Sequence, residues 1–154
     1  MSEKKELKVK SIKNGTVIDH IRQNRAANIL NMLHLPDDET PVMVAINVES
    51  SHMGKKDIIK IEGRELSEEE VDKLVLLAPQ ASVNIIRDYE IVNKFNLQLS
   101  EKIVDVVKCS NPNCISNSNE PIEDIFYVQS KEPIILRCHY CERTMDYEDI
   151  EEQI

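Results

Sequence analysis

The sequence predicts an α+β protein in two parts. The first is an antiparallel sheet with two helices on one face, ferredoxin-like in plan, and the second is a small all-β module of the zinc-ribbon kind. Three observations carry this. Residues 1–100 read in the order strand, helix, strand, strand, helix, strand, strand. All four cysteines fall late in the chain, in two short pairs, Cys109-Ser-Asn-Pro-Asn-Cys114 and Cys138-His-Tyr-Cys141. The charge is uneven: within a formal net −9, residues 1–100 carry 14 Lys+Arg against 16 Asp+Glu, while residues 101–154 carry 5 against 12. The expected domains are 1–98 and 99–154.

Met1 to Glu6 is polar and reads as a frayed terminus. The alternation Leu7, Val9, Ser11 predicts a strand, and Asn14-Gly15 the turn that ends it. Val17-Ile18-Asp19-His20 is a short apolar stretch finishing in two polar side chains. Ala26, Ile29, Leu30 and Leu33 recur at helical spacing, giving an amphipathic helix that closes near Leu35-Pro36. Val42 to Val48 predicts a strand apolar on both faces, so it is either central or covered by a partner. A turn through Ser50 to Gly54 leads to a strand over Lys56–Glu62, with Ile59 and Ile61 on one face and Ile58 and Lys60 on the other.

Ser67 and Glu70 form a capping-box pattern ahead of Val71, Leu74, Val75 and Ala78, a second helix stopped by Pro79. Ser82–Arg87 and Glu90–Phe95 are strand-like runs joined through Asp88-Tyr89. After a polar hinge at Phe95–Glu101, the run Ile103 to Val107 predicts a strand that leads directly into Cys109. Ser116–Glu120 reads as a loop, and Ile125–Val128 and Ile134–Leu136 as strands, the latter delivering the second cysteine pair. Met145–Ile154 reads as an acidic tail with about one helical turn.

Each cysteine pair can wrap one side of a tetrahedral ion with its own tight turn, so the spacing points to one structural zinc held by Cys109, Cys114, Cys138 and Cys141. Four thiolates saturate the ion and leave no position for water or substrate, which argues for scaffolding over catalysis. Two disulfides or a redox Cys-x-x-Cys pair are the other readings of the same residues. With no signal peptide at the start, the chain is expected in a reducing cytosol, which weakens the first, and a βαβ context for the second is missing. His139, between two cysteines, is an alternative ligand that four thiolates make unnecessary.

The acidic second module lacks the basic face that a nucleic-acid-binding ribbon needs, so a protein partner is the better expectation. No apolar run is long enough to span a membrane. The first module has no nucleophile with an evident base and no Gly-rich phosphate loop, and catalysis is poorly supported. It does carry Asp19, His20, Lys56, Lys60 and Lys94 at the ends or on one face of predicted strands. Singly these read as solvated charges, and together as the surround of an anionic ligand, with a carboxylate for a ribose hydroxyl. A nucleic-acid ribbon and a small nucleotide-processing enzyme remain the competing classes.

The blocks Gly15-Thr-Val-Ile-Asp-His20, Met53-Gly-Lys-Lys-Asp-Ile-Ile-Lys-Ile-Glu62, Leu77-Ala-Pro-Gln-Ala-Ser-Val-Asn84, Asn113-Cys-Ile-Ser116 and Cys138-His-Tyr-Cys-Glu142 run in one order over essentially the whole chain. In this combination the sequence resembles the regulatory chain of aspartate carbamoyltransferase. The resemblance implies a non-catalytic subunit of pyrimidine synthesis whose first domain binds nucleoside triphosphates, CTP inhibiting and ATP activating. It implies a zinc-bearing second domain that docks on the catalytic chains. The first domains are expected to pair as a homodimer through Val42–Val48.

Carried onto this sequence, the resemblance puts Asp19 and Lys60 at the ribose, with Lys60 also near the base. It turns His20, Lys56 and Lys94 toward the triphosphate, and backbone around Ile12 and Tyr89 toward the base edge. Val9, Val17, Asn84, Ile86 and Ile91 line the pocket, and Ile91 stands where the family can carry valine. Asn111, Asn113, Glu142 and Arg143 are expected to face the catalytic chain. The segment Gln129-Ser-Lys-Glu-Pro133 departs from the family's basic contacts.

Overall fold

The computed structural model describes residues 11–51 and 54–154. The strand expected from Leu7 and Val9 therefore lies outside the described residues, as do His52 and Met53 of the expected turn. The fold is α+β, with helices, a five-stranded antiparallel sheet and a second, four-stranded antiparallel sheet accompanied by a cysteine cluster. Contacts divide the chain into two units. One takes the chain up to Ser67 with Gln80–Leu97, and the other takes Glu68–Pro79 with Gln98–Ile154.

In the first unit the strands are β1 (Gly15–Arg22), β2 (Val42–Ser50), β3 (Gly54–Glu62), β4 (Ser82–Arg87) and β5 (Glu90–Asn96), in the spatial order β2-β3-β1-β4-β5. Every described pairing in this sheet is antiparallel. Because side chains alternate across a strand, the register sorts each one onto a face. Ile18 stands between Ile59 and Val83, and all three are fully buried. Helix α1 (Ala26–Met32) packs against β3 and adds Ala26 and Ile29 to this core. The Val17–His20 stretch, read from sequence only as a short apolar run, lies inside a strand that begins at Gly15, the expected turn residue, and ends at Arg22. Gly15 has φ +144, and a Cβ there would overlap the carbonyl oxygen of Ile61. Only glycine fits that close approach between β1 and β3.

Among the described residues, Asp57 is the one carboxylate in this core, and it is fully buried. Its Oδ2 accepts hydrogen bonds from the amides of Arg25 (3.1 Å) and Ala26 (3.0 Å), and its Oδ1 accepts from the amide of Asn47 (3.0 Å). Two of these amides open α1, so the carboxylate caps a helix that has no cap from its own N-terminal residue. The third sits at the β2 irregularity, where Asn47 takes φ 62. One side chain thus fixes the helix start and the bend of the edge strand.

The second unit holds α2 (Glu68–Leu77), whose first turn carries Glu68, Glu69 and Glu70, charges that suit the positive end of the helix dipole. Its sheet runs β6 (Lys102–Val104), β7 (Ile125–Lys131), β8 (Ile134–Cys138) and β9 (Thr144–Met145), in that spatial order. The strand expected to run directly into Cys109 is only three residues long. It stops at Asp105, which adopts φ 58 and turns the chain, while its amide donates to the Asp124 carbonyl at 2.8 Å. Part of the expected 116–120 loop is a short 3-10 turn, Ile115–Asn117. The expected acidic tail is a two-turn helix, α3 (Tyr147–Gln153), closed by a reciprocal capping box between Asp146 and Asp149 and anchored by fully buried Ile150. The core joins Leu76 of α2 and Ile150 of α3 to Phe126, Leu136, Met145 and the cysteines.

Candidate metal centre and ligand cleft

Two tight turns present the cysteines. In the first, the Asn111 carbonyl accepts from the Cys114 amide at 3.0 Å, and Asn117 Nδ2 donates to the Cys109 and Asn111 carbonyls at 2.9 and 2.8 Å. In the second, the Cys138 carbonyl accepts from the Glu142 amide (3.0 Å) and the Cys138 amide donates to Arg143 (2.9 Å), with Glu142 at φ 65. The four sulfurs converge to within 4.8 Å of one another. Cys109 Sγ lies 3.6 Å from Cys141 Sγ, and Cys114 Sγ 3.7 Å from Cys138 Sγ. A disulfide needs ~2.05 Å, so these are free thiols. A metal–sulfur bond of ~2.3 Å gives a regular tetrahedron an edge of about 3.8 Å, so the donor set fits one tetrahedral ion.

The electrostatics point the same way. Burial pushes the Cys109 thiol up to about 12, and burial also raises Cys138. Burial acts upward on Cys141 too, but hydrogen bonds with the Arg143 backbone, the Asn111 side chain and neighbouring thiols outweigh it and bring the thiol down to about 7. Four adjacent thiols ionise together only around a cation that compensates them. Ser116 Oγ donates to Cys114 Sγ at 3.1 Å and supports that sulfur from outside. His139 is not in the cluster. Its Nδ1 lies 2.8 Å from the Tyr127 hydroxyl, and its ring meets those of Tyr127 and Tyr140 edge-on.

Of the four residues expected at a subunit interface, Asn113, Glu142 and Arg143 are exposed on the two cysteine turns. Asn111 is half-buried, and its Oδ1 accepts from the Asn113 amide at 3.1 Å. Ile115, beside the first turn, is 53% exposed.

The first unit carries a cleft of about 290 Å³, lined by Ile12, Val17, Asp19, Lys60, Asn84, Ile86, Tyr89 and Ile91 together with Ser11 and Ile58. The first eight are residues picked out by sequence. The register explains the gathering: Lys60, Val17, Asn84 and Lys94 are successive partners across β3, β1, β4 and β5, forming one row on the face away from Ile18 and Ile59. Lys56 has the same parity on β3, and its Nζ lies 2.9 Å from Asp19 Oδ1. Asp19 Oδ1 also accepts from the His20 amide (2.6 Å), and His20 Nδ1 lies 3.1 Å from Ser82 Oγ at the β1 irregularity. His20, Lys56 and Lys94 are outside the lining, and Val9 is outside the described residues.

Burial lowers the pKa of Lys60, opposed by the Asp19 carboxylate. The turn after β4 holds Asp88 and Tyr89 at φ 51 and 67, and the Tyr89 amide donates to Lys13 at 2.9 Å. Asn84 Oδ1 is buried and unpartnered. Ser11, Ile58 and the Asp57 buttress were missed from sequence, although Ile58 shares the parity of Lys56 and Lys60 and was open to the same argument.

Two family models match. The model described as the allosteric domain of the aspartate carbamoyltransferase regulatory chain covers residues 7–98, and the one described as its metal binding domain covers residues 101–151. An aspartate carbamoyltransferase regulatory chain of Methanosphaera stadtmanae is 74% identical over 150 residues, 97% of this chain and 98% of the relative. One of Methanothermobacter thermautotrophicus is 55% identical over 148 residues, 96% and 95% of the two chains. One of Thermococcus onnurineus is 52% identical over 146 residues, 94% and 96%.

Proposed function

This chain belongs to the aspartate carbamoyltransferase regulatory chains, non-catalytic subunits with an allosteric and a metal-binding domain, and from that premise we propose that it senses nucleoside triphosphates in residues 1–98 and docks on catalytic chains through a zinc-held module in residues 99–154. CTP is the inhibitor and ATP the activator.

The observation that carries the reading is the row Lys60, Val17, Asn84, Lys94, with Asp19 and Lys56 paired beside it. At about 290 Å³ the cleft is at the small end of ligand pockets, which run roughly 300–1,000 Å³. It suits a base and ribose, with Asp19 and Lys60 at the sugar and the triphosphate passing outward to His20, Lys56 and Lys94. Ile12, Val17, Ile86 and Ile91 supply apolar walls, Val9 completes them, and Asn84 Oδ1 and the Tyr89 turn offer polar groups to the base. A tetravalent anion needs several converging cations, and an acidic chain that gathers them on one face has a use for them.

The metal is zinc, one per chain, because four thiolates with tetrahedral edges near 3.6 and 3.7 Å match its preferred donors and geometry. Asn111, Asn113, Glu142 and Arg143 meet the catalytic chain. The first domains pair as a homodimer through β2, an edge strand with apolar residues on both faces and Ile46 51% exposed. The chain works in the cytoplasm, where thiolates stay reduced. A nucleotide that binds one quaternary state better than the other shifts their equilibrium by that difference alone.

The test is to mix the chain with the catalytic subunit of its own source and measure aspartate saturation with and without CTP. A shift of the curve to higher aspartate supports the reading, and an unchanged curve in a formed complex refutes it. Product formed from CTP or ATP by the isolated chain would instead make it an enzyme.

A further inference from the structure

Lys108, the residue just before the first metal ligand, is held by its backbone N–H, its backbone carbonyl and its ammonium. Gln153, the last residue of α3, supplies two of the three partners. Its Oε1 accepts from the Lys108 amide at 2.7 Å, and its Nε2 donates to the Lys108 carbonyl at 2.6 Å. A primary amide has a donor and an acceptor side by side, and here it pairs with one residue's main chain as a neighbouring strand would. The third partner is Asp124, whose Oδ2 lies 3.1 Å from Lys108 Nζ. Asp124 is held in turn by its amide donating to Asp105 Oδ1 at 2.9 Å and its carbonyl accepting from the Asp105 amide at 2.8 Å.

The strand expected to deliver Cys109 ends at Val104. The segment from Asp105 to Lys108 is therefore positioned by these contacts and by buried Val107 rather than by a sheet ladder. Of them, the Gln153 pair is nearest to the ligand. The helix that carries Gln153 has its own reasons to stay in place: the Asp146–Asp149 capping box at one end and fully buried Ile150 in the core shared with Cys109, Cys114 and Cys138.

We propose that Gln153 is a positioning residue of the metal centre, and that docking of α3 and metal occupancy are one coupled equilibrium. The inference rests on the metal-binding reading of the four cysteines. Outer groups that orient ligands are worth typically 10–100-fold in metal affinity, because an unheld ligand must be ordered when the ion binds. Coupling of this kind is reciprocal, so losing the metal must also loosen α3.

The experiment loads the full chain with zinc and follows transfer of zinc to a chromogenic chelator. Gln153→Ala is expected to transfer zinc at least tenfold faster than the unaltered chain. Gln153→Glu, which keeps the acceptor for the Lys108 amide and loses the donor, is expected between the two. Lys108→Ala keeps the main-chain pair and removes the 68% exposed ammonium from Asp124, itself 12% exposed, so its effect on transfer is expected to stay well below that of Gln153→Ala. Hydrogen exchange at residues 147–153 is expected to accelerate on zinc removal. Transfer from Gln153→Ala within twofold of the unaltered chain overturns the inference, as does unchanged exchange at 147–153. An unaltered chain that binds no zinc defeats the metal reading itself, a distinct result.

Discussion

Among the described residues the first unit's interior is largely hydrocarbon and its buried carboxylate, Asp57, serves three backbone amides, whereas in the second unit three cysteines sit inside the same cluster as Phe126, Leu136 and Ile150. The first can assemble its core from Ile18, Ile29, Ile59, Ile61 and Val83 without any exogenous group. The second has a sheet whose outer strands are two and three residues long, and much of its interior is sulfur. The difference separates two kinds of dependence. On the proposed reading, one unit stands on packing that the chain itself supplies, and the other on a bound cation.

The sharpest way to break this contrast is to remove one partner from each interior. Cys138→Ser removes a thiolate whose site, in zinc-dependent peptides, contributes about 10–16 kcal/mol to folding. Amide protection in residues 101–154 is expected to collapse while β1, β3 and β4 keep theirs, as read by hydrogen exchange. The converse change, Asp57→Ala, leaves three amides without their acceptor. At roughly 1–3 kcal/mol for each unmet group it is expected to lower the stability of the first unit by at least about 3 kcal/mol in chemical denaturation. Zinc content, measured by elemental analysis, is expected to stay at one per chain in that variant. Zinc lost from Asp57→Ala, or first-unit protection lost from Cys138→Ser, would erase the distinction between the units.

A gentler change sharpens the contrast within the first unit, by separating its sensor from its core. Lys60→Ala is expected to weaken CTP binding about tenfold or more in calorimetric titration while moving stability by no more than about 0.5 kcal/mol. The pH profile carries a further sign. Burial lowers the Lys60 pKa from its ordinary 10.5, so between the folded pKa and 10.5 the unfolded chain binds more protons than the folded one. In that window the stability of the nucleotide-free chain rises with pH. Nucleotide affinity runs the other way, because the ammonium beside the anion is lost as pH rises through the lowered pKa. The onset of that fall below 10.5 is expected to vanish in Lys60→Ala.

The sequence made helices α1 and α2, strands β2 to β5 and the cysteine centre legible because each has a local signature. Period-two alternation marks Lys56–Glu62, helical spacing marks Ala26–Leu33, and paired cysteines mark the tight turns. Parity along Lys56–Glu62 also sorted Lys60 from Ile59 and Ile61 before any pairing was known. The missed features depend on distant partners. Asp57 reads as one more acid among lysines, and only the return of the chain at Arg25, Ala26 and Asn47 makes it a buried cap. Ile103 to Val107 has the composition of a strand, but the turn at Asp105 is set by Asp124, nineteen positions away. The C-terminal helix looked like a charged tail because its capping pair is Asp146 and Asp149 rather than the usual Ser with Glu, and Ile150 is its one fully buried residue.

The central claim is that a metal-held module attaches the chain to its enzyme while a separate module binds nucleotide. The direct measurement is one titration: chelator added to the assembled complex of regulatory and catalytic chains, with release of the catalytic subunit followed by sedimentation and CTP binding followed in the same samples. The account predicts that the chains separate as zinc leaves and that CTP affinity holds within about twofold. Simultaneous loss of CTP binding, or a complex that survives complete removal of the metal, would contradict it.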